Sequence, residues 1–355
     1  MKKLPLILAI ALLLAGCQKQ EIDPQNTAAG SPGYNAAALL DHAAHGIILG
    51  TYRDLALQTA ALQTAVAALA AAPTPAALAA ARQAYRAARA PWEATEAFAF
   101  GPVSTQGLDA VIDTWPLNLT DLNALLASAD PLTPASLRPR DGGLQGFHPI
   151  EFLLFGTNAT KALADFTPRE YAFLTASAQN LQAATARLLQ AWQPGGGHFA
   201  ATLATAGPNN AVYPKQKQAV QELLDGLIGP ADELANSKIE GPLAQQTTDL
   251  EEARFSQNSK AEFLQNLAGI EALYTGRSGP LTGPGFAELV ARRSPALDAR
   301  FRQELAAAQQ AIATLPGRFD EAIFQNPAAV RAAQARVRVV LATLQTDVQP
   351  LVDAL

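Results

Sequence analysis

Apolar residues recur along most of this chain at the three- and four-residue steps of an α-helix. Leu39, Leu40, Ile47, Ile48, Leu55, Leu62, Val66 and Leu69 fall near one side of a cylinder, which predicts a long helix over 36–71. Pro73 and Pro75 end it and open the next, expected over 76–100 with a kink or a relaxed turn at Pro91. The period then fails. Residues 101–145 read as loop-rich, with a short helix at 120–128. Helices resume near His148 and over 168–192. Residues 193–210, rich in Gly, Pro and Asn, read as a boundary. The second half repeats the plan, with helices expected over 214–236, 250–274, 285–315 and 326–354.

Alanine, the best helix former, dominates, and no long run is rich in Val, Ile, Thr and aromatic residues. The expected fold class is therefore all-α: two packed helical-bundle domains, 35–195 and 210–355. A faint echo between the halves suggests an ancient duplication. Glu96 and Phe100 are spaced like Glu251 and Phe255, and 146–156 resembles 269–276.

The first seventeen residues change this picture. Lys2 and Lys3 precede an apolar stretch from Leu4 to Leu14, the layout of a signal peptide rather than a membrane span. The stretch ends in Leu14-Ala15-Gly16-Cys17, which reads as a lipobox. Cys17 is the chain's one cysteine and the expected site of lipid attachment; the fold gains no disulfide from it. Residues 18–34 read as a flexible tether. The expected location is the cell envelope, lipid-anchored, on the periplasmic face of the outer membrane, with the cell surface as an alternative. No segment after the leader is expected to span a bilayer. The formal charge is −5, and −7 once Lys2 and Lys3 are removed, with no basic block. That excludes nucleic acid as a natural partner.

Four histidines are the first candidates for chemistry. His198 lies in the Gly-rich boundary. His42 and His45 share a helix face, as a metal pair or as polar positions near a helix start. His148 sits in Gly146-Phe147-His148-Pro149-Ile150-Glu151. An imidazole and a carboxylate three apart on a helix project to one side and can present N and O ligands to one metal. Equally, Pro149 at the first helical position would make His148 an N-cap and Glu151 its capping-box partner. Glu93 and Glu96 lie in Trp92-Glu93-Ala94-Thr95-Glu96. A carboxylate at Glu96, beside Trp92, is either solvated or needs a partner: a metal, His148, or Arg138, Arg140 or Arg254. His-Glu-x-x-His, Gly-x-Ser-x-Gly, P-loop and Rossmann motifs are all missing from the sequence.

Four stretches together resemble the imelysin family, which is also grouped among peptidases as M75. They are Trp92 to Val103, Ile112-Asp113-Thr114-Trp115-Pro116, Gly146 to Gly156 with its G-x-H-x-x-E core, and Glu251 to Ser259. The resemblance implies two helical bundles with a site between them. By position it makes His148 and Glu151 the centre, with Glu96, Asp113, Arg254 and Ser256 as neighbours. It implies a binding or accessory protein of iron or haem-iron acquisition, with iron or another divalent metal as ligand and iron-transport components as partners. Two alternatives stay open: a metallopeptidase using the same motif, for which a complete set of three ligands is not visible, and a structural partner of an envelope transporter.

Overall fold

Side-chain caps mark where the helices begin. Thr74 accepts a hydrogen bond from the Ala77 N–H, and Pro75 takes the first position of the helix. Thr167 and Glu170 form a reciprocal capping box, and Ser294 caps with Pro295 behind it. The computed structural model describes residues 34–355; the expected signal peptide, Cys17 and nearly all of the tether lie outside the described residues.

Eight helices carry the core. They are α1 (Ala37–Ala71), α2 (Pro75–Thr95), α3 (Phe147–Phe155), α4 (Pro168–Trp192), α5 (Gln216–Glu233), α6 (Ser259–Thr275), α7 (Pro295–Ala313) and α8 (Pro327–Thr343). The all-α class is borne out; the one exception among the described residues is a two-residue hairpin pairing Arg277–Ser278 with Leu281–Thr282. Residues Tyr34–Leu355 form one compact unit.

Several boundaries differ from expectation for identifiable reasons. The helix expected over 285–315 is broken into Phe286–Arg293 and α7, because Pro295 has no N–H to continue it and Ser294 is extended. The helix expected over 250–274 starts only at Ser259. In the preceding segment Ser256 spends its side chain on a tertiary bond to Glu151, and Glu251 accepts from Ser259 at the helix start. The boundary 193–210 contains a short helix, Phe199–Ala204, whose Phe199 packs on Trp192. Helix α2 continues through Pro91 and tightens to a 3₁₀ turn at Glu96–Phe98. Against expectation, α1 is long and apolar enough to cross a membrane by length and composition. Its apolar stripe faces protein: Leu55, Leu62, Val66 and Leu69 are fully buried, and α1 packs along both α2 and α4. Each such side chain contributes about 1.5–3 kcal/mol of burial.

Helix α2 belongs to both halves. One side packs on α1, the other on α6, while α5 packs on the turn that follows α2. These approaches depend on two glycines. A β-carbon at Gly269 of α6 would stand 2.3 Å from the Ala94 carbonyl oxygen, and one at Gly226 of α5 would stand 2.3 Å from that of Ala97. Backbone cannot yield there as a flexible side chain would. Gly269→Val is therefore expected to lower stability by about 1–3 kcal/mol through overpacking, read from the urea midpoint at unchanged slope. An unchanged midpoint would mean that the two halves are not held in this close contact.

Candidate functional site

The inward face of α2 reads Leu78, Ala81, Tyr85, Ala88, Arg89, Trp92, Glu93, an apolar stripe interrupted by an arginine and a glutamate. Arg89 is fully buried. A buried charge must be paired, and both terminal nitrogens of this one are, while its Nε is buried with no hydrogen-bond partner. Its Nη1 donates to Asp113 Oδ1 at 2.6 Å. Its Nη2 donates to Glu262 Oε2 at 2.8 Å, to Glu252 Oε1 at 3.1 Å and, one turn along α2, to Glu93. Burial works against its charge, but Asp113, Glu262 and Glu93 outweigh that and hold its pKa well above the ordinary arginine value.

A second cation completes the network. Lys238 ends a π-helical turn, Leu234–Lys238, that extends α5. Its Nζ donates to Glu96 Oε1 at 2.7 Å and Glu93 Oε2 at 3.0 Å and lies 2.8 Å from Glu252 Oε2. Asn266 of α6 donates to Glu93 Oε2 at 2.9 Å and Glu96 Oε2 at 2.7 Å. Burial, with Glu93 and Glu252 adding to it, pushes Glu96 well above the usual carboxylate range despite Lys238. Burial also pushes Glu262 up to about 7 and Glu251 up to about 8.

His148 approaches from α3. Gly146, at φ +76°, begins that helix, and a β-carbon there would meet the Ile112 carbonyl oxygen at 2.1 Å. Only glycine allows this approach, which sets His148 beside Asp113 at the end of the Leu108–Asp113 helix. His148 Nε2 lies 3.2 Å from Asp113 Oδ1, and Nδ1 lies 3.5 Å from Glu151 Oε2. Both nitrogens and Glu151 Oε2 are buried, and none has an aligned hydrogen-bond partner. Burial alone would lower the His148 pKa; Asp113 and Glu151 reverse this and raise it to about 10. Asp113 goes the other way: burial is outweighed by Arg89 and His148, and its carboxyl is held well below the usual range. Its second oxygen accepts from Trp92 Nε1 at 2.5 Å.

The capping reading of the motif is overturned. Gly146, not His148, is the N-cap, and no side chain bonds the cap. Glu151 Oε1 instead accepts from the Ser256 N–H and Oγ–H, both at 2.7 Å, across the interface between halves. Ser256 thus joins the site, and Arg86 of α2 holds its carbonyl at 2.8 Å. Arg254 does not join: it pairs with Asp249 at 2.7 Å and stacks on Phe255. Nor do the remaining histidines. His42 bonds the Gly276 carbonyl at 2.9 Å, His45 bonds Asp41 at 2.9 Å, and His198 starts the short helix at Phe199. The cation that meets Glu96 is Lys238, not an arginine; Arg140 is on Asp130.

A cleft of about 1290 Å³ opens over this network. Trp92, Glu96, Asp113, Trp115, Lys238 and Glu252 are among its walls; His148 and Glu151 lie deeper, behind Asp113. Asp113, His148 and Glu252 each offer one ligand atom within 4.8 Å of the others, and so do Glu93, Glu96, Asp113 and Glu252. Imidazole with carboxylate is a donor set that suits iron and similar cations, and the unpartnered ring nitrogens of His148 fit it too.

The raised His148 pKa links the site to stability. The ordinary value is 6.5 and the folded value about 10. Folding therefore retains the proton, so this contribution is complete below about pH 6.5 and is lost as pH rises through about 10. It amounts to at most about 5 kcal/mol. In metal-free protein, urea unfolding should show stability falling across that window, and His148→Gln should fall less steeply. Parallel pH profiles would contradict the ion pair with Asp113.

The model of the family Peptidase M75, imelysin, matches residues 48–347. Iron-regulated protein A of Synechococcus elongatus is 32% identical over 312 residues, covering 86% of this chain and 84% of that protein. Two crystal structures share the fold. An iron-regulated protein A precursor from Parabacteroides distasonis gives a TM-score of 0.82 at 20% identity, covering 92% of this chain and 96% of that one. An imelysin-like protein from Psychrobacter arcticum gives 0.73 at 16% identity, covering 88% and 94%. With the family's model spanning most of its length and a relative this similar over most of both chains, this protein belongs to the imelysin family, Peptidase M75.

Proposed function

We propose that this protein is a cell-envelope binding protein of iron acquisition that holds iron, or a similar divalent cation, in the acidic network beneath the cleft. The observation that carries this reading is the buried imidazole of His148. It faces Asp113 and Glu252 with both ring nitrogens lacking an aligned partner. A cation bound there would take the ring in its neutral form and release the proton that the ring otherwise shares with Asp113. Asp113, His148 and Glu252 are the proposed ligands, with Glu96 on the cleft side. Glu151, oriented by Ser256, is a positioning residue that sets the His148 ring. The name of the Synechococcus relative supports the link to iron. The cleft gives a path from solvent to the carboxylates. A lipid on Cys17 would keep the protein at the membrane beside iron-transport components.

Protein purified without chelators and then stripped should bind one equivalent of iron(II) in an anaerobic titration. His148→Ala and Glu252→Gln should each weaken binding by at least about tenfold, the least that loss of even an outer-shell partner costs. Equal affinity in all three proteins would sink the assignment of these ligands. Peptide cleavage by the loaded protein, lost in the same variants, would replace the binding role with a hydrolytic one.

The anchor is tested separately. In cells making the whole chain, Cys17→Ser should move the protein from the membrane fraction to the soluble one. Retention of the variant in the membrane fraction would exclude lipid anchoring at that residue.

A further inference from the structure

Arg89 and Lys238 neutralise the same acids but are held differently. The Arg89 guanidinium is planar, fully buried and bonded to four carboxylates. It has no route out. Lys238 lies in the wall of the cleft, and its ammonium rides on a flexible four-carbon stem. Around its Nζ stand three carboxylate oxygens, from Glu96 at 2.7 Å, Glu252 at 2.8 Å and Glu93 at 3.0 Å. The same three residues, with Asp113, form a group whose oxygens lie within 4.8 Å of one another. The ammonium therefore sits in an all-oxygen cage of the kind that hard cations take.

We propose that the Lys238 ammonium is a tethered occupant of a cation cage made by Glu93, Glu96 and Glu252, and that a divalent metal cation enters by exchange, displacing the ammonium into the cleft. This rests on the metal-binding reading above, shares Glu252 and Glu96 with it, and adds a competitor for the carboxylates on the cleft side. The buried imidazole of His148, neither nitrogen of which has an aligned hydrogen-bond partner, offers a nitrogen within 4.8 Å of oxygens of Asp113 and Glu252 and is the independent sign of a ligand site adjoining the cage.

The exchange follows from charge and from lone pairs. The carboxylates that bind the ammonium are among those a metal would need, and hard cations take oxygen ligands at about 2.0–2.6 Å. A divalent ion at that distance and an ammonium on the same oxygens would repel each other. The 1290 Å³ cleft beside Lys238 gives the displaced stem a solvated place to go. Trading one positive charge for another gains nothing, whereas trading one for two gains attraction to every carboxylate in the network. The cage should therefore reject sodium and potassium. In the absence of metal, the lysine keeps the acids compensated, so the two halves stay closed.

The test is Lys238→Met, which keeps a similar stem and removes the charge, titrated with Mn²⁺ as the probe. The variant is expected to bind Mn²⁺ at least about tenfold more tightly than the parent, because no occupant has to be displaced. Excess Na⁺ at matched ionic strength should leave Mn²⁺ affinity unchanged in the parent. A parent that binds Mn²⁺ with a variant that binds no tighter overturns the exchange and leaves the metal-binding reading intact. Loss of Mn²⁺ binding from both proteins overturns both. Binding by the variant alone supports the exchange, and Glu252→Gln placed in the same background should then abolish it. Should the variant not fold when metal-free, recovery of its helical circular dichroism on adding Mn²⁺ supports the proposal, and no recovery overturns it.

Discussion

One guanidinium group holds this structure's functional end together. Arg89 is buried on α2, and its partners come from three parts of the chain: Glu93 on its own helix, Asp113 in the loop-rich region, and Glu252 and Glu262 in the second half. A buried charge that loses its partners costs several kcal/mol. The arginine is therefore satisfied only when the second half has closed on α2. That closure in turn depends on the backbone-to-backbone approaches at Gly226 and Gly269. Assembly of the halves and assembly of the site are the same event.

Such a network is a poor way to gain stability, since apolar side chains of equal volume would often do as well. It is a good way to hold acids in a fixed arrangement at the floor of a cleft. The three cationic groups divide the work. Arg89 is locked, and its role is architectural. His148 is fixed beside Asp113 and behind it, reached from the cleft only past that carboxylate. Lys238 alone combines a buried charge with a position in the cleft wall. The gradient from locked to releasable follows the direction from core to solvent, which is the direction a ligand would travel.

The motif stretches were readable because each does two jobs. Trp92, Glu93 and Glu96 continue the stripe of α2, and His148 and Glu151 share the inner face of a short apolar helix. Arg89 was readable in principle: it lies on the buried stripe, four residues after Tyr85 and four before Glu93, where a solvated arginine has no place. Lys238 gave a similar sign, coming just after Leu234 and Ala235, both buried. Glu262 and Asn266 sit one turn apart on α6 and look like any polar pair on an amphipathic helix. Nothing local distinguishes them. The expected capping role of Glu151 failed because Ser256, more than a hundred residues away, offers two better-placed donors.

The sequence alone determined the helices, since helix propensity, apolar period and capping residues act over a few neighbouring positions. It also determined the all-α class and the family, through four short stretches kept in order. Which acids meet which cations was decided only in the tertiary structure. Pairing of buried charges depends on distances between elements far apart in the chain, and the same lysine or glutamate is inert at the surface and decisive inside. His148 shows the boundary between the two. Its place on a helix beside Glu151 follows from spacing, while its charge, and its facing of Asp113 and Glu252, follow from how the helices come together.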